Sequence, residues 1–160
     1  MVRLGFRAHF PTIDVSLSSA DSDRAHLEEA ANYAREKLGA HLLSEEKGCF
    51  ASSLVKRLAE AGETVATAES CTGGKVGDLI TDVSGSSRVY QEGVVAYSNE
   101  VKMKRLGVKS ETLAAHGAVS EPVVLEMARG IRDYTGATYG LSISGIAGPT
   151  GGSKLKPVGL

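Results

Sequence analysis

Tryptophan is absent, cysteine occurs only as Cys49 and Cys71, and proline only four times in 160 residues. Two thiols are too few for a disulfide scaffold or a Cys-rich zinc site and suit a reducing compartment, so a cytoplasmic chain is expected. Aromatic residues are 5% of the chain, too sparse for the stacking platforms that hold single-stranded nucleic acid. No apolar run approaches the ~20 residues that span a bilayer, and the opening MVRLGFRAHF lacks the apolar stretch of a signal peptide, so no membrane association is expected. Neither sign of charge dominates: 18 Lys+Arg face 19 Asp+Glu, a net charge of -1. Such a balance gives no general field for nucleic acid, and any anionic ligand must be held locally. His9, His26, His41 and His116 show no H-x-x-x-H or H-E-x-x-H spacing, so neither a metal nor another cofactor is expected.

What is present describes a folded chain: hydrophobic residues are 42% and charged residues 23%, near the globular average. Glycine divides it, since only Gly5 and Gly39 of the 19 glycines precede residue 48. The predicted organisation is a small α+β module over residues 1–47 and a larger α/β domain over 48–160. In the module, strands are predicted over 2–10 and 13–17 around a turn at Pro11. A helix capped by Asp21 or Asp23 then runs to Leu38, with Gly39 as its stop. About 47 residues make a marginal core. The module carries no G-x-x-G loop and has six basic against eight acidic residues, which disfavours RNA binding.

The larger part alternates helices with strands, a pattern that yields a layered sheet covered by helices. A helix over 50–61 precedes a buried strand over 64–68. After the turn Glu69-Ser70-Cys71-Thr72-Gly73-Gly74, the residues Val76, Leu79, Ile80 and Val83 recur at helical spacing. Residues 89–97 read as one or two strands interrupted near Gly93. Short helices follow from Asn99 and Ser110, then a longer one with Val124, Met127, Ala128 and Ile131 inward. A strand over 141–144 enters the loop Gly145-Ile146-Ala147-Gly148-Pro149-Thr150-Gly151-Gly152, whose glycines permit close approach to a ligand.

Three segments could carry chemistry. The turn at 69–74 places hydroxyls between a strand end and a helix start, where ligands bind in open α/β sheets and free amides can hold an oxyanion. The plain alternative is that Ser70 or Thr72 merely caps the helix. The Gly145–Gly152 loop is either a second wall of a small-molecule pocket or a simple connection. In Tyr97-Ser98-Asn99-Glu100-Val101-Lys102 polar residues leave a strand to start a helix, yet spacing cannot distinguish Lys102 from a solvated lysine beside Lys104 and Arg105. Cys71 could be a nucleophile, although a buried thiol is the commoner role.

Taken together, AESCTGG (68–74), GVVAYSNEVK (93–102), LGVKSETLAAHGAVSEPV (106–123) and SISGIAGPTGG (142–152) resemble the C-terminal domain of the CinA family, the nicotinamide mononucleotide deamidases. The opening RLGFRAHFPTIDVSL resembles the KH-like linker module of full-length CinA proteins. The resemblance implies a layered α/β/α amidohydrolase domain that works without a metal, acts in pyridine nucleotide salvage and forms a homo-oligomer. Its substrate would be nicotinamide mononucleotide, converted to nicotinic acid mononucleotide and ammonia. It places the nucleophile at Ser70 and its partner at Lys102, with Tyr97 assisting. Substrate contacts would come from Cys71, Thr72, Gly73, Gly74, Asn99, Gly145, Ile146, Ala147 and Gly148. The family pattern continues past residue 160 with further sheet, a helix and an arginine near the substrate phosphate. A non-catalytic nucleotide-binding or interaction module of a competence- or damage-inducible protein is the alternative from another class. The proposed base also makes a demand, because an unperturbed lysine is only roughly 0.1% free amine near neutral pH.

Overall fold

A computed structural model of the chain describes residues 1–9, 12–19, 24–45 and 50–160. The turn expected at Pro11 and the cap expected at Asp21 or Asp23 lie outside the described residues. Backbone contacts separate two units, Met1–Glu46 and Lys47–Leu160.

In the first unit, β1 (Val2–His9) and β2 (Thr12–Ser19) pair antiparallel, with Leu4 opposite Leu17 and Phe6 opposite Val15. Two-residue periodicity therefore collects the apolar side chains on one face and Arg3, Arg7 and Asp14 on the other. The helix α1 (Arg24–Leu38) follows, and a 3-10 turn, Gly39–His41, ends it. Arg35 holds Glu28 and Glu45 at 2.9 and 2.8 Å. No described residue of α1 is buried, and Leu4, Phe6 and Ile13 stand exposed, as a core this small dictates.

The second unit runs α2 (Phe50–Ala61), β3 (Val65–Glu69), α3 (Lys75–Thr81), β4 (Tyr90–Val95), α4 (Asn99–Leu106), α5 (Ser110–His116), α6 (Glu121–Thr135) and β5 (Tyr139–Ile143). Its three strands are parallel in the order β4-β3-β5, and every residue of the central β3 is buried. Val65 packs with Val55, Leu58, Ile80 and Val89, whereas Ala66 and Ala68 pack with Leu106, Val123, Met127 and Ile131. Alternation along β3 thus feeds two cores on opposite faces, which makes three layers: α2 and α3, the sheet, then α4 and α6. This is the predicted α/β fold with helices on both sides of a parallel sheet. Continued for one residue past the strand, the same alternation aims Ser70 toward the α4 side.

Several local expectations are corrected. Leu79 is 55% exposed, because α3 ends at Thr81 and buries only the narrower stripe of Val76, Ile80 and the following Val83. In α6 the buried series is Val123, Met127 and Ile131, as expected for the last two, while Val124 and Ala128 are only half-buried, the Val124 carbonyl accepting from Ser142 Oγ at 2.6 Å. The strand predicted over 141–144 begins earlier, at Tyr139. β4 is continuous through Gly93, and its register against β3 shifts between the Val65 and Thr67 pairings. Here the Tyr90 hydroxyl turns inward to meet Thr67 Oγ1 at 2.6 Å, and a Cβ on Gly93 would collide with it.

Helix α4 crosses α6 at Gly130, where an added Cβ would meet the Leu106 carbonyl. The obstacle is backbone, so Gly130→Ala should destabilise the unit by about 1–3 kcal/mol. Urea denaturation measures this, and an unchanged midpoint and slope would contradict so close a crossing.

Candidate active site

The Ser70 turn begins where β3 ends. The Ser70 amide extends the pairing with β5 by donating to the Ile143 carbonyl at 2.9 Å, after which Gly73 N–H donates to Ser70 O and Lys75 N–H to Thr72 O, both at 3.2 Å. Gly73 and Gly74 have φ of 62° and 101°, a left-handed backbone that lets the chain reverse into α3 within four residues. Ser70 is left at the sheet's carboxyl end, only 8% exposed.

Lys102 comes from the first turn of α4. Ser98 caps that helix by accepting from the Val101 amide at 3.2 Å, which fixes the start so that the Lys102 side chain is directed inward. Lys102 is 1% exposed. Its Nζ donates to Ser70 Oγ at 3.0 Å, to the Ala96 carbonyl at 2.7 Å and to the Tyr97 carbonyl at 3.1 Å. Among the described residues no carboxylate pairs with it. Burial therefore pulls the ammonium below the ordinary lysine range, opposed only in part by the nearby Cys71 thiol. In the free-amine form the two N–H groups suit the two carbonyls, and the lone pair remains for the Ser70 hydroxyl. Serine and lysine, 32 positions apart, are thus brought into direct hydrogen-bonding contact, an arrangement with the chemistry that a nucleophile and its base require.

The sequence reading missed Glu69. Its side chain leaves β3 on the opposite face from Ser70 and is 1% exposed. Glu69 Oε2 accepts from the Gly74 and Val76 amides at 3.1 and 3.0 Å, and Oε1 accepts from Gly77 at 2.8 Å. Burial would raise this carboxyl's pKa, but the Thr72 side chain and the three amides outweigh it and hold the group below the usual range. Glu69, rather than Ser70 or Thr72, thus satisfies the start of α3. The signal available in sequence was the alternation Val65, Thr67, Glu69, which carries a carboxylate to the helix side of the strand. Thr72 Oγ1 is buried without a hydrogen bond of acceptable geometry, even though its hydroxyl lies close enough to influence Glu69.

The remaining expected residues divide. With Gly74 N–H engaged, the amides of Cys71 and Thr72 are the ones in this turn that donate to nothing among the described residues. Cys71 is a half-buried free thiol. Tyr97 reaches the dyad only through its carbonyl, its side chain being part of a residue 76% exposed, and Asn99 is exposed at the start of α4. The turn at Gly145, Ile146, Ala147 and Gly148 comes beside the site, since a Cβ on Gly145 would lie 3.1 Å from Cys71 Sγ. Its close approach is made, however, by the chain itself: the Ile146 amide donates to the Leu160 carbonyl, Gly159 N–H donates to Ile146 O, both at 2.9 Å, and Gly148 packs on Val158. Among the described residues no group of three or more His, Cys, Asp or Glu gathers as a metal site, and no helix is long and apolar enough to cross a membrane.

A family model described as the CinA C-terminal domain matches residues 49–160. A CinA-like protein of Kosmotoga olearia is 54% identical over 126 residues, covering 79% of this chain and 31% of that protein. One from Anaeromyxobacter sp. (strain Fw109-5) is 49% identical over 162 residues, 99% of this chain and 39% of that protein. The chain therefore spans well under half the length of these relatives. Among solved structures, the competence/damage inducible protein CihA from Agrobacterium tumefaciens superposes with a TM-score of 0.67 at 44% identity, covering 68% of this chain and 66% of that one. A competence-damaged protein (CinA) superfamily protein from Escherichia coli gives a TM-score of 0.65 at 37% identity, covering 68% and 63%.

Proposed function

The chain belongs to the CinA family through its C-terminal domain, and from that membership we propose that it hydrolyses the carboxamide of nicotinamide mononucleotide to nicotinic acid mononucleotide and ammonia. The observation that carries this reading is the buried Lys102 Nζ at 3.0 Å from Ser70 Oγ. Family resemblance supplies the substrate, and the dyad supplies a chemistry that fits it.

Lys102 as the free amine takes the Ser70 proton while Oγ attacks the carboxamide carbon. The resulting oxyanion is received by the unpartnered Cys71 and Thr72 amides. The Lys102 ammonium then protonates the departing nitrogen, ammonia leaves, and the nicotinoyl group remains esterified to Ser70. Water, deprotonated by Lys102, releases the acid and restores the serine. The first proton moves between two groups already in contact, Ser70 Oγ and Lys102 Nζ, and no metal is required by these steps. Tyr97 and Asn99, both exposed, would meet substrate rather than the reacting serine.

Ammonia release from nicotinamide mononucleotide, followed by a coupled assay, tests the reading. Since the base must be unprotonated and burial lowers its pKa, kcat/KM should rise with pH along a limb lying below the ordinary lysine value of about 10.4. A limb at that ordinary value would remove Lys102 as the resting base. Nucleotide binding with no ammonia formed would instead support a non-catalytic nucleotide-binding module.

A further inference from the structure

We infer that Glu69 is a positioning residue for the nucleophile, its carboxylate fixing the 70–74 turn so that Ser70 Oγ is held on Lys102 Nζ. The inference rests on Ser70 being that nucleophile. Glu69 and Ser70 share a peptide at the end of the central strand and point to opposite faces of the sheet. Rotation that moves one side chain therefore moves the other. The carboxylate ties down the far end of the turn by gripping Gly74, Val76 and Gly77 together.

Without that grip little restrains the turn. Two of its five residues are glycines at positive φ, and besides the Lys102 contact its other bonds are the two 3.2 Å contacts from Gly73 and Lys75, the link from Ser70 to Ile143 and the Asp78 amide on Gly74 O, both at 2.9 Å. The carboxylate is also closely packed. A Cβ on Gly77 would lie 2.6 Å from the Tyr90 hydroxyl, so a glycine there admits that ring, and the same position lies 3.6 Å from Glu69 Oε1, an ordinary contact distance. The residue at the helix N-cap, Gly74, offers no side-chain cap of its own. By taking the Gly74, Val76 and Gly77 amides, Glu69 also removes the start of α3 as a competing place for the oxyanion and leaves the Cys71 and Thr72 amides to receive it.

An ordinary helix cap would affect stability alone, whereas a positioning group must affect the rate of a protein that is fully folded. Glu69→Gln keeps the shape but sets an NH2 donor against amide donors. Glu69→Asp keeps the charge and shortens the reach, and serves if the glutamine variant does not fold. Ile80→Ala weakens the core beneath the same helix while leaving the carboxylate in place. The assay is the rate at which an alkyl fluorophosphonate labels Ser70, located by mass spectrometry well below the unfolding midpoint, alongside kcat and KM for amide hydrolysis. Both the labelling rate and kcat should fall about 10- to 100-fold in the Glu69 variants, with KM changed by less than about threefold and the pH limb unmoved. Ile80→Ala should stay within about twofold of the parent when folded. Labelling of folded Glu69 variants at the parent rate, or a parallel loss in Ile80→Ala, would overturn the inference. If the parent protein itself neither labels at Ser70 nor releases ammonia, the nucleophile assignment fails and this inference with it. A parent that does both, beside Glu69 variants that match it, sinks the positioning role alone.

Discussion

Ser70→Ala is expected to abolish ammonia release from nicotinamide mononucleotide, with kcat falling by at least about 10^4-fold. Removing a nucleophile deletes the covalent route rather than weakening it, and the groups that remain cannot form the ester. The fold should persist. The substitution removes one of three acceptors from Lys102 Nζ, and Ala96 O at 2.7 Å and Tyr97 O at 3.1 Å remain. The unfolding free energy should therefore change by no more than about 1.5 kcal/mol. Steady-state kinetics and thermal melts measure the two quantities together. Substantial turnover in the alanine variant would transfer suspicion to the neighbouring Cys71, whose selective alkylation should then stop the reaction.

Lys102→Met should lower kcat by about 10^2- to 10^4-fold at every pH. Methionine has similar length and fills the buried channel, but it neither accepts nor returns a proton. The pH profile separates this from a mere shift of the titrating group, because a shifted base recovers in alkali and an absent one does not. Lys102→Arg should be impaired in the same way, since a guanidinium stays protonated. Unchanged kinetics in either variant would discard the dyad. Stability is a balance of opposing effects: the buried amine's desolvation is relieved, while Ala96 O and Tyr97 O lose a donor.

How far the site was legible in sequence depends on the range of the information needed. The period of two along β3 is local, so the strand's burial and the layered fold could be read directly. The meeting of Ser70 with Lys102 depends on β4 lying beside β3 and on the depth of α4 below it. Spacing could not supply that, and Lys102 looked no different from Lys104 until the family resemblance selected it. Glu69 was overlooked because hydroxyls are the usual helix caps, and a carboxylate reaching round a glycine turn from the preceding strand does not follow the ordinary pattern. The Gly145–Gly148 turn illustrates a different ambiguity: glycine reports that something comes close, but not whether it is a ligand or, as at Leu160 and Val158, more of the chain. Leu79 was misplaced because a regular apolar spacing does not reveal how short the helix is.

The burial of Lys102 also links folding to proton release. In the unfolded chain this amine titrates near 10.4, whereas the folded protein lowers that value by withdrawing it from water. Between the two values the unfolded state binds more protons, so this residue's contribution to stability improves as pH rises through the interval. Below the folded-state value the native protein must enclose an ammonium and carries that burial penalty in full. Acid thus opposes the fold and would silence the proposed base through one and the same side chain.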